Sequence, residues 1–171
     1  MRVLNALYAA GAILAAVFMV LIAVLTLIQI LGRTLGVLIL DAGDFAGYAM
    51  AASIFLALAH TFRTGGHIRV NLVLAHSSPR IRRALEIWCL AFVAVIGGLF
   101  AAFSVKMTVD SFSFGDVSTG MVPVPLWIPQ LSMALGAALL EAAVIEEFVR
   151  VLRGEEPRYE SAEASVESYS E

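Results

Sequence analysis

Three histidines, one cysteine and fourteen acidic residues are the groups in this 171-residue chain that could hold a metal, attack a carbonyl or carry a proton. Their spacing supports none of these. His60, His67 and His76 stand seven and nine residues apart, whereas a helical metal pair needs positions i and i+4. Cys89 has no second cysteine to pair with and no CxxC partner, so it reads as a buried structural thiol. A haem between four helices needs facing histidines inside the apolar stretches, and only His60 falls in one. No enzyme, cofactor or metal site is expected.

The elements that carry these groups explain why they are so sparse. Of the residues, 60% are hydrophobic and 15% charged, and the mean hydropathy is +0.89, whereas soluble domains hold about 25% charged residues. Uncharged windows run over residues 3–32, 45–62, 87–105 and 117–140. A helix crosses the hydrocarbon with about 20 apolar residues, so all four can span a membrane, and the segments between them are too short for a separate soluble domain.

The predicted fold is therefore an all-α integral membrane protein with four transmembrane helices, over about 4–31, 43–62, 81–105 and 124–148. The first window is read as a retained helix, because it exceeds the length of a signal core and no Ala-x-Ala pattern follows it. Ser77-Ser78-Pro79 signals the start of helix three, and Pro123, Pro125 and Pro129 the approach to helix four. Residues 154–171 hold six acidic groups and few bulky aliphatics, and read as a disordered acidic tail beyond a membrane domain of residues 1–153. The net charge of −3 divides accordingly: residues 155–171 carry −5 and the body +2.

Basic residues stay preferentially on the cytoplasmic side of short loops. Arg2, the 63–83 connection and the segment from Arg150 onward hold nine of them, against Arg33 and Lys106 in the other two connections. Both termini are thus expected in the cytoplasm (N-in/C-in). Tyr8, Tyr48, Trp88 and Trp127 each fall near one helix end, at the depth where amphipathic rings settle.

A protein that moves a polar solute by itself needs ionisable groups near the bilayer midplane. The window midpoints lie near Val17, Ser53, Ile96 and Ser132, and no charged residue, His or Asn lies within five positions of any of them; the one Gln so placed is Gln130, near Ser132. Gln29, Arg33, Asp44, His60 and Glu141 are read toward helix ends, with Glu141 about two turns inside Arg150. Small residues at four-residue spacing, Gly11 with Ala15 and Gly47 with Ala51, together with Gly97-Gly98, suit close approach of another helix. Such a body holds no ion relay, and its small-residue faces suit helix packing.

Two connections carry more pattern. After Gly65-Gly66, residues 67–74 set Ile68, Val70, Leu72 and Leu74 among His67, Arg69 and Asn71, which predicts a short interfacial amphipathic segment between helices two and three. On the other side, residues 112–130 read FSFGDVSTGMVPVPLWIPQ, either a shaped surface loop or a plain helix entry. Gly66-His67-Ile68-Arg69-Val70-Asn71, together with Ser118-Thr119-Gly120 and Pro123-x-Pro125-Leu126-Trp127-Ile128-Pro129-Gln130, resembles the small membrane subunit (DctQ-type) of tripartite ATP-independent periplasmic (TRAP) transporters. The similarity covers about residues 4–150, and family members commonly carry an acidic residue where this chain has Asn71.

The resemblance implies a scaffold subunit of a sodium-driven importer in the bacterial inner membrane. Its implied partners are a large permease subunit, which carries the substrate and sodium sites, and a periplasmic solute-binding protein, with membrane lipids around it and no nucleic acid. On this reading Gly47, Ala51, Gly97 and Gly98 meet the permease, Gly120 to Trp127 face the periplasm, and Arg80, Arg82 and Arg83 hold anionic lipid. The substrate is expected to bear a carboxylate. A stand-alone four-helix membrane protein with a regulatory or lipid-interacting role is the alternative, and a redox subunit the remote one.

Overall fold

The computed structural model describes residues 2–37, 39–64 and 79–155. The described residues form four helices: α1 (Arg2–Thr34), α2 (Ala42–Arg63), α3 (Pro79–Phe114) and α4 (Trp127–Arg153). All four are long and apolar enough to cross a membrane. No strand occurs among the described residues; Val117 and Pro125 form an isolated antiparallel bridge. The amphipathic segment expected at 67–74, with Gly66 to Asn71, lies outside the described residues, as does most of the acidic tail.

α1 packs on α2, α2 on α4 and α4 on α3, and α1 touches α4 only lightly. The two inner helices are therefore the most enclosed. The most apolar stretches of α2 and α4 are 33% and 28% buried, those of α1 and α3 only 11% and 17%. The α2 face that turns inward is small: Ala49, Ala52, Ser53, Leu56 and Ala59 are all buried. Lipid tails are as apolar as leucine, so such helices hold together by close van der Waals contact and interhelical hydrogen bonds. Ser53 Oγ donates to the Ala15 carbonyl at 2.9 Å, and a Cβ on Gly11 would stand 2.9 Å from the Leu56 carbonyl oxygen, so α1 and α2 meet backbone to backbone there.

The tightest approach joins α2 to α4 at Gly136, where a Cβ would overlap the Phe55 backbone. With no side chain in the way, the Phe55 ring stacks on Phe100 of α3 at 5.9 Å and 13°. Toward the basic end, Tyr8, Ala59, Phe62, Leu90, Ala143, Val144 and Val151 close the core.

Four helix ends depart from expectation by three residues or more, among them the end of α1 at Thr34, against 31, and of α4 at Arg153, against 148. α3 was expected to stop at residue 105, where the uncharged window ends, but it runs nine residues further to Phe114. Lys106 and Asp110 do not break a helix once it has left the hydrocarbon, and α3 stops only at Gly115, whose φ of 69° provides the left-handed turn. At about 1.5 Å per residue α3 is about 54 Å long and exceeds a hydrocarbon core of about 30 Å. α4 begins at Trp127, not 124, because the preceding residues form a structured loop.

Candidate functional site

The ends of the bundle differ in charge. Arg63 of α2 donates to Asn5 Oδ1 of α1 at 2.9 Å and lies 4.5 Å from the centre of the Tyr8 ring. Arg83 of α3 donates to the Leu152 and Val151 carbonyls at 3.3 and 3.5 Å, so it caps the C-terminus of α4. These contacts bring the basic segments to one end, with Asp41, Asp44 and Asp116 at the other. Of the arginines expected to meet lipid, Arg80 is exposed, Arg82 pairs with Glu86 at 3.2 Å, and Arg83 is occupied by the α4 carbonyls.

At the acidic end, residues 116–126 fold back on themselves. Ser118 N–H donates to the Val124 carbonyl at 2.8 Å, Val124 N–H to Ser118 Oγ at 3.0 Å, and Leu126 N–H to the Asp116 carbonyl at 2.9 Å. The shaped-loop reading therefore holds over the plain helix entry. Asp41, the residue before α2, has φ 53° and makes no side-chain cap; its Oδ2 instead accepts the Val122 N–H at 2.5 Å. The same oxygen would lie 2.9 Å from a Cβ on Gly120, and an Asp44 oxygen 3.1 Å away. Gly120 is thus the residue that lets the loop settle onto the two carboxylates. Trp127 meets Phe112 edge to face at 5.7 Å and ties the start of α4 to the end of α3, while Pro123 and Pro125 are exposed.

The glycines singled out for packing behave differently from one another. Gly47 has open space around it and Ala51 is half-buried. Gly97 and Gly98 face α4 of the same chain, where Glu141 Oε2 would lie 2.5 Å from a Cβ on Gly97 and Oε1 3.5 Å from one on Gly98. Glu141 is consequently not at a helix end: it lies one residue past the middle of Trp127–Arg153 and beside the midpoint of the uncharged stretch of α3. The expectation of an uncharged midplane is corrected. It failed because the window ending at residue 140 was bounded by Glu141 itself, which displaced its midpoint toward the outer end.

Cys89, expected to be buried, is exposed, since it lies on the outward face of the little-covered α3. Among the described residues no group of three or more His, Cys, Asp or Glu side chains could hold a metal ion. Two contributors escaped the sequence reading. Glu147 is only 1% exposed, and its charge and those of Glu146 and Arg63 act on Tyr8; the Glu146-Glu147 doublet in an apolar helix was the available signal. Gly136 was signalled by Ser132, one small residue four positions earlier. An apolar cleft of about 340 Å³ lies between α1, α2 and the start of α4, lined by Phe18, Leu25, Tyr48, Ala52, Ile128 and Pro129.

Four helices long and apolar enough to span a membrane, with wide exposed apolar faces, define a multi-pass membrane protein. Residues 22–154 match the family model of the DctQ component of tripartite ATP-independent periplasmic transporters. The chain belongs to that family: it is the small membrane component of a TRAP transporter and not an enzyme. In these inner-membrane systems the component works with a large permease and a periplasmic binding protein. Neither the characterised proteins nor the solved structures compared with the chain yield a match.

Proposed function

We propose that this chain braces the large permease subunit of a sodium-driven importer and presents its structured outer loop to the solute-binding protein. The family match over residues 22–154 is the observation that carries this reading. The outer faces of α1 and α3 support it, because Ile13, Val17, Val20 and Val24 on one and Phe92, Val95, Leu99 and Phe103 on the other stay exposed on helices long enough to cross the bilayer. A second transmembrane subunit is the natural cover for such faces. With the arginine-rich end in the cytoplasm, both termini are inside and residues 116–126 face the periplasm. The substrate would be a carboxylate-bearing small molecule, recognised on the other two components.

The test is co-expression with the large permease of its system, affinity capture through the small subunit, and reconstitution into liposomes with the binding protein. Uptake should require all three proteins and an inward sodium gradient. Transport by the permease and binding protein alone, at the same rate, would refute the scaffold role.

A further inference from the structure

Glu141 is a carboxyl group near the bilayer midplane that no other described residue satisfies. Its Oε2 is buried without a hydrogen-bond partner, and the side chain makes no hydrogen bond or ion pair among the described residues. The neighbouring positions on α3 are Gly97 and Gly98, so the carboxyl sits in a slot that any other residue at 97 would fill. Depth follows from the helix rise: Gly97 is about 21 Å from Arg83 and about 14 Å from Lys106, which leaves it inside the hydrocarbon on both counts. An acidic side chain at a helix centre is costly to insert. Residues of this kind face a bundle interior or a partner and pair with polar groups there. Glu141 is only half-buried, as are Gly97 and Gly98 beside it.

We infer that Glu141, held in the Gly97-Gly98 slot, is a pairing point for a transmembrane helix of the permease that brings a cationic or hydrogen-bond-donating side chain into the membrane. Charge complementarity selects this occupant over lipid, because acyl chains offer a carboxyl nothing. Because Glu141 is only half-buried, a side chain from that helix can reach the carboxyl. This inference rests on the scaffold reading above.

The test is labelling by dicyclohexylcarbodiimide, an apolar reagent that adds to carboxyl groups within membranes, in membranes carrying the full chain alone or with its permease. Mass spectrometry of the peptide containing Glu141 gives the modified fraction. Labelling should be readily detected in the chain alone and fall about tenfold with the permease, the ratio expected for an interhelical hydrogen bond of about 1.4 kcal/mol. Equal labelling in the two membranes overturns the inference, and so does an absence of labelling in the chain alone, which would mean that its own helices close the site. As a second measurement, Glu141→Leu should retain about a tenth of the captured permease and Glu141→Gln more, since an amide still pairs. Full retention by the leucine variant overturns the inference. Failure of the unmodified chain to capture any permease would instead overturn the scaffold reading, so the two failures are distinguishable.

Discussion

Replacing Asp41 by alanine isolates the contact that joins the α1–α2 connection to the outer loop. The Asp41 carboxylate accepts the Val122 N–H, and Gly120 rests against the same oxygen. Hydrogen bonds to a charged acceptor contribute about 1.5–3 kcal/mol, and the lower figure applies here because the contact is exposed to solvent. At about 1.4 kcal/mol per factor of ten, Asp41→Ala should raise the open fraction of the loop about tenfold. Asp41→Asn should have a smaller effect, because asparagine tolerates the left-handed backbone at φ 53° and still offers a neutral acceptor. Hydrogen–deuterium exchange of a peptide spanning residues 117–126 reads this directly, since Val122 supplies the bonded amide. The internal bonds from Ser118 and Leu126 should persist, so the faster exchange should be confined to about one amide and not spread over the loop. Unchanged exchange in the alanine variant would refute the latch. Uniformly faster exchange would show that Asp41 supports the loop's internal fold instead.

Gly136→Ala should destabilise the bundle by about 1–3 kcal/mol, and Gly136→Leu by more, because the obstacle is the Phe55 backbone, which cannot rotate away; reversible unfolding in mixed micelles measures this, and wild-type stability in the leucine variant would contradict the packing. Arg83→Gln should loosen the end of α4 by no more than about 1 kcal/mol, since the guanidinium is partly solvated, with faster amide exchange near residues 151–155 as the readout. Reporter fusions at residues 38, 76, 114 and 165 should report outside, inside, outside and inside, and an inverted result at 76 would reverse the orientation argued from the arginines. Substituting both Pro125 and Trp127 should lower uptake while leaving the protein in the membrane; loss of the protein would assign the pair to packing through the Phe112 contact.

The number and approximate position of the helices were legible because hydropathy and length are properties of contiguous residues. Their ends were less so. Lys106 marks where α3 leaves the hydrocarbon, and Gly115 marks where it stops, and a charge pattern records only the first. The outer loop was half legible: prolines and a tryptophan announced a constrained segment, but its attachment to Asp41 joins residues 81 positions apart. No local pattern could signal that pairing, since Asp41 in isolation resembles an ordinary helix cap.

Glu141 shows why an inventory of charges misleads in a membrane protein. A search for uncharged windows treats every charge as a boundary, so a carboxyl inside a helix is moved to its edge by the definition itself. α4 nevertheless continues through Glu141 for twelve more residues to Arg153, because Ala142, Ala143, Val144 and Ile145 restore the apolar face, and Glu146, Glu147 and Arg150 belong to the basic end with Tyr8 and Arg63. The depth of a charge is therefore set by the helix it interrupts and by what lies across from it. Opposite Glu141 lie two glycines in the middle of the longest helix, which turns an apparent terminus into an interior acid.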